Sequence, residues 1–219
     1  MNYSQAHHRT LPNVLAVNRP RKFGQDGAFD GNVTIVGEVR GQYHDFAQIF
    51  QDPTLAGYPS AKNQFIFNGD MVDRGAMAVE IVIVLLVAKL LYPESVHILR
   101  GNHESLWMTQ SYGFEKEVLK KYDADILDDF RRFFDTLPLA AVVQNEIFVT
   151  HGGIGPTVVN MSLGEINKID RFIDLDAPGA PKAQCELLWC GTNDCLLYSS
   201  VFFALIFTFP NCVFITRSP

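Results

Sequence analysis

Four short runs of β-branched and aromatic residues, each stopped by a polar or glycine-rich cluster, constrain this chain more than any other feature. Val33-Thr34-Ile35-Val36 runs into GEVRGQ, and Gln64-Phe65-Ile66-Phe67 into NGDMVDRG. Val96-His97-Ile98-Leu99 runs into RGNHES, and Ile147-Phe148-Val149-Thr150 into HGG. Each run has the length and composition of a buried strand bounded by turn residues.

Helix-length segments separate these runs. Ala76 to Leu91 is apolar nearly all round and is followed by Pro93, where a helix has to stop. Its uncharged centre, Ile81 to Ala88, is too short to span a bilayer, so it is expected as a buried helix against a sheet. Glu115 to Tyr122 and Asp125 to Phe134 carry charges on one side, with Val118, Ile126, Leu127, Phe130, Phe133 and Phe134 at helical spacings. Strands alternating with helices predict an α/β sandwich built on mixed sheets flanked by helices. Residues 1 to 30 mix Pro, Arg, Gly and Asp without period and are expected as an arm or linker ahead of a domain over 31–190.

Composition excludes some classes of function. A net charge of −6 argues against nucleic acid as a partner, because phosphate contacts need clustered Lys and Arg. The opening residues, MNYSQAHHRTLPNV, lack the apolar core of a secretory signal, which points to a cytoplasmic or nuclear protein. The cysteines, Cys185, Cys190, Cys195 and Cys212, lack C-x-x-C spacing and are expected as free thiols. Residues 191–219 form a divergent apolar tail, in which Cys195 to Ile215 holds no charged residue and is long enough to cross a membrane. Pro210-Asn211 spoils such a helix, so the anchor is the less favoured alternative to a buried strand pair or a nonnative end.

The chemistry lies at the ends of the predicted strands. In open α/β sheets ligands bind outside the carboxyl ends of the strands, so Asp70, Asp73, Asn102, His103 and His151 are expected to converge on one cleft. A lone histidine is more often a satisfied core residue, but four coincident strand ends weaken that explanation. The donors of Asp70, Asn102 and His151 suit Mn, Fe or Zn. Arg74 offers a planar fork for a phosphate. His103 can donate a proton to a leaving oxygen, with Asp73 fixing its tautomer. Together these groups describe a metal-dependent phosphoester hydrolase.

The motifs GDMVDRG, RGNHE and HGG resemble the signatures of the phosphoprotein phosphatase family of serine/threonine phosphatases, which has a calcineurin-like metallophosphoesterase fold. The flanking text FNGDMVDRG, LLYPESVHILRGNHES, YGFEKEV, LPLA and ELLW is most similar to the tetratricopeptide-linked and EF-hand-linked branches, over about Asn32 to Trp189. The resemblance implies two metals bridged by Asp70, the second also held by Asn102 and His151. It further implies His103 as general acid oriented by Asp73, Arg74 as a phosphate-binding residue, a phosphoprotein substrate and a regulatory subunit.

The chain departs from the family pattern where the family has G-D-x-H-G. Here the residues are Gly37-Glu38-Val39-Arg40-Gly41, so both first-metal ligands are replaced, and an arginine cannot deprotonate to become a ligand. Beyond Trp189 the family's later histidine ligand, second phosphate arginine and active-site tyrosine have no counterpart, so the C-terminal half of the fold is expected to be missing. One metal or none is then expected. Hydrolysis of phosphoserine or phosphothreonine is expected to be impaired, the alternative being a noncatalytic pseudophosphatase, with or without a membrane tether. Glu38 and Arg40, two apart on a strand, are expected to face the first-metal position together, where the guanidinium pairs with Glu38 or Asp70 or else swings out to water.

Overall fold

The computed structural model describes residues 7–18 and 30–190, together with the backbone of 212–215. Two sheets pack face to face, with helices on the outer face of each. The first sheet has the order β4-β3-β2-β7, built from β2 (Asn32–Val36), β3 (Asn63–Phe67), β4 (Val96–Ile98) and β7 (Cys212–Ile215), and all its pairings are parallel. The second has the order β1-β5-β6, from β1 (Val14–Val17), β5 (Ala140–Val143) and β6 (Ile147–Thr150), with β1 parallel and β6 antiparallel to β5.

Strand alternation divides the core. Val33, Ile35 and Ile66 from one sheet meet Leu15, Val17, Ala141, Val143 and Val149 from the other. The opposite face of the first sheet, with Val36, Phe65, Phe67, Val96 and Ile98, packs on Phe46 and Phe50 of α1 (Tyr43–Gln51), Ile81 and Leu85 of α2 (Ala78–Leu91), and Phe114 and Val118 of α4 (Phe114–Lys121). Phe130, Phe133 and Phe134 of α5 (Ala124–Asp135) complete that layer. Between α2 and α4 lies α3 (Leu106–Tyr112). On the outer side of the second sheet, Leu187 and Leu188 of α7 (Lys182–Trp189) and Ile166 of the single-turn α6 (Leu163–Ile166) cover Val14 and Ala140.

The four predicted strands and three predicted helices all form, within two residues of their expected limits at each end. The rest diverges from the sequence pattern in instructive ways. Val14–Val17, inside the expected arm, is a strand bonded along β5, and buried Arg171 ties down the segment before it. Its guanidinium donates to His8 O at 2.7 Å, Leu11 O at 2.9 Å and Asn13 Oδ1 at 2.6 Å. The sequence pattern raised no expectation of β1 or β5, each four residues long. Within the expected tail, Cys212–Ile215 pairs with β2, which favours a strand there over an anchor, while 191–211 lie outside the described residues. Among the described residues no helix is long and apolar enough to cross a membrane. Cys185 is a free thiol but Cys190 is disulfide-bonded, against the expectation of free thiols throughout, because pairing depends on folding rather than spacing.

Candidate active site

Parallel pairing of β2, β3 and β4 brings their carboxyl ends to one edge, and backbone bonds lock together the loops that leave it. The N–H groups of Val39 and Arg40 both donate to Asp70 O, at 3.2 and 3.0 Å, and Gly75 N–H donates to Arg40 O at 2.9 Å. Only glycine fits this crossing, since a Cβ on Gly75 would lie 2.3 Å from the Gly41 carbonyl oxygen. The β3 and β4 loops touch at Gly69, whose φ is +79° and whose Cβ would lie 2.4 Å from Gly101 N. Arg40, Asp70, Asp73 and Arg74 all adopt left-handed φ values, of 41°, 54°, 70° and 63°. Such conformations cost roughly 1 kcal/mol or more each and persist where the surroundings impose them, commonly at functional sites.

Glu104, fully buried, supports this arrangement from beneath. Its Oε2 accepts from Asp70 N and Gly101 N, both at 2.8 Å, and its Oε1 accepts from Met71 N at 2.9 Å. One carboxylate thus joins the β3 and β4 loops. The motif RGNHES contains Glu104, but a backbone-bracing role leaves no mark in sequence spacing.

Asp73 and His103 form the expected dyad. Asp73 Oδ2 lies 2.7 Å from His103 Nδ1, and Asp73 Oδ1 accepts from Phe114 N at 2.8 Å. Asp73 is completely buried and His103 nearly so. Arg74 is exposed, its guanidinium 4.5 Å from the centre of the Tyr112 ring, and that ring lies 5.2 Å from the His103 ring. Arg74 therefore stands one ring away from the dyad, and Tyr112 is a wall residue that sequence reasoning missed.

β6 delivers His151 from the other sheet. Its Nδ1–H donates to Asn68 O at 2.8 Å, and its Nε2 lies 3.0 Å from Asn102 Oδ1 and 3.3 Å from Asp70 Oδ1. α7 holds this loop, with Thr150 Oγ1 and Gly152 N both donating to Leu187 O, at 2.9 and 2.7 Å. Burial alone would lower the His151 pKa, but Asp70 raises it to about 9. Burial likewise pushes the Asp70 carboxyl up, yet His151 and Arg40 hold it at about 2.

Arg40 is the residue that changes the site. It pairs through Nε with Glu38, through one terminal nitrogen with Asp70 Oδ2 at 2.7 Å, and through the other with His103 Nε2 at 2.5 Å. The expected pairing with Glu38 and Asp70 is present, but its cause is not strand alternation. β2 ends at Val36, and the left-handed turn at Arg40 folds the guanidinium back over Glu38. A guanidinium only donates, so His103 Nε2 accepts from Arg40 while Nδ1–H donates to Asp73.

These residues offer donors for a divalent ion. Donor atoms of Glu38, Asp70 and His151 lie within 4.8 Å of one another, and Asn102 Oδ1 adds a fourth. Asp70 Oδ2 is buried and, although within ion-pair distance of Arg40, takes no well-directed hydrogen bond, as suits a ligand oxygen. An ion held by Asp70, Asn102 and His151 would displace the His151 proton and polarise a phosphoryl oxygen. The position between Glu38 and Asp70, in contrast, is filled by the Arg40 guanidinium.

Two sheets flanked by helices, with carboxylate, amide and imidazole donors at the strand ends, define a metallophosphoesterase domain. Residues 31–198 match the calcineurin-like phosphoesterase family model, and the chain belongs to that family. It is 43% identical over 158 residues to serine/threonine-protein phosphatase 5 of Arabidopsis thaliana, and 42% identical over 157 residues to that of Homo sapiens. Each alignment covers 72% of this chain, but only 28% and 30% of those relatives, so the chain spans less than a third of their length. The solved structure of a serine/threonine phosphatase from Saccharomyces cerevisiae with similarity to human phosphatase PP5 superposes with a TM-score of 0.75 at 32% identity. That match covers 86% of this chain and 56% of the other. Within its family the chain falls with the serine/threonine phosphatases.

Proposed function

We propose that this chain acts on phosphoserine or phosphothreonine in proteins, with turnover far below that of a relative that keeps the family's first-metal ligands. The observation that carries this reading is the buried Asp73–His103 pair at 2.7 Å beside donors for a single ion. In this reading Asp73 orients His103, Arg74 on Tyr112 receives the phosphate at the rim, and Asp70, Asn102 and His151 hold Mn, Fe or Zn. A phosphoprotein substrate, a regulatory subunit and a cytoplasmic or nuclear location belong to the same proposal. With Mn present, turnover of an aryl phosphate is expected to be at least about 100-fold below that of a relative with both first-metal ligands, and abolished by His103→Asn. Turnover matching that of the relative overturns the proposal.

A second reading, a noncatalytic phosphoprotein-binding module, is favoured by the Arg40 bond to His103 Nε2, which covers the atom that would deliver the proton. Binding of a phosphopeptide without phosphate release, weakened by Arg74→Ala, selects this second reading.

A further inference from the structure

We propose that the Arg40 guanidinium is a built-in cation that replaces a metal ion at the Glu38–Asp70 position. The chain then keeps these two neighbouring carboxylates together without metal there and binds at most one divalent ion. Three observations lead to this. First, Glu38 and Asp70 both pair with one guanidinium, and Asp70 is completely buried. Two carboxylates brought together in a poorly solvated cleft need a compensating cation, whether an ion or a side chain. Second, the arginine is held rather than draped over the surface. Its side chain is only 26% exposed, its N–H and carbonyl are both bonded to the β3–α2 loop, and its φ of 41° sets its direction. Third, its terminal nitrogens reach both Asp70 and His103, so one planar group spans the carboxylates and the dyad. A bound ion could touch the same ligand oxygens, but arginine cannot exchange, be chelated or be lost at low pH.

The consequence differs from ordinary divergence of a metal site. Losing ligands alone would leave Glu38 and Asp70 repelling each other and the loops loosened. Filling the position with a guanidinium keeps the loops closed and repels a second cation from the same oxygens. The inference holds whether or not the chain turns over substrate, since it concerns metal count and stability.

The test uses the full chain, stripped with chelator and then dialysed against Mn2+, with bound Mn counted by elemental analysis and melting temperature measured in chelator and in Mn2+. The unmodified chain should bind no more than one equivalent. Arg40→Met should melt roughly 5–15 °C lower in chelator, because an uncompensated buried charge remains, and recover much of that loss in Mn2+. The pair Glu38→Asp with Arg40→His should gain a second equivalent of Mn. Arg40→Lys, which keeps the charge without the fork, should still bind no second ion. Two equivalents in the unmodified chain overturn the proposal, even if Arg40→Met does not fold. So does an Arg40→Met chain that melts normally in chelator, or a double variant that gains no Mn.

Discussion

His97 gives the chain a predictable acid limb of stability. It lies in the edge strand β4 with its Nε2 buried and without a hydrogen-bond partner. Burial, reinforced by nearby Lys89, lowers its pKa from 6.5 to about 4. At pH values above 6.5 the ring is neutral in the folded and unfolded chain alike and contributes no slope. Between 6.5 and about 4 the unfolded chain takes up a proton that the folded chain refuses, so stability falls as pH falls. Below about 4 both states are charged and the loss is complete. A tenfold change in proton affinity is worth about 1.4 kcal/mol, so a shift from 6.5 to about 4 sets an upper bound of roughly 3.5 kcal/mol, and partial exposure of the ring reduces this to ~1–3 kcal/mol. For a chain of this length that is a melting-temperature difference of roughly 3–10 °C. The assay compares the unmodified chain with His97→Gln by thermal melts between about pH 7.5 and 4. Carboxylate titrations common to both cancel, so the two melting curves should separate as pH falls, with the variant the more stable at acid pH. Parallel curves across that range would refute a buried neutral His97.

Three further outcomes are expected. Gly69→Ala forces a Cβ to within 2.4 Å of Gly101 N at a φ of +79°, and should lower the melting temperature by roughly 5–15 °C in a thermal scan. Arg171→Met removes the donors that hold His8, Leu11 and Asn13, and hydrogen exchange should rise at Val14–Val17 well before it rises in β3. Glu186→Ala strips the carboxylate that accepts from Thr157 N and Val158 N, at 2.9 Å each from Oε2, and should cost about 1–3 kcal/mol in urea denaturation.

Much of the site was legible before folding because chemistry and spacing coincide there. Asp70, Asp73, Asn102 and His103 follow strands whose β-branched runs are short and unambiguous, and parallel pairing of β3 with β4 gathers them, whereas His151 joins them only because the second sheet packs against the first. Arg74 could be placed beside them, although its contact with the Tyr112 ring could not, since Arg74 lies in the β3–α2 loop and Tyr112 on α3, far along the chain. β1 escaped notice because four residues carry little periodicity, and the segment before it is held by Arg171, far along the chain. Glu104 was visible as a residue of RGNHES but not as the brace of two loops, a role defined by backbone N–H groups that any sequence provides. Arg40 shows the division most sharply. The sequence alone placed an arginine, a permanent cation that cannot ligate a metal, two residues after Glu38. Only the tertiary structure decided where that cation goes, because a left-handed turn held by the β3–α2 loop aims the guanidinium at Glu38, Asp70 and His103 together, and no local propensity specifies that direction.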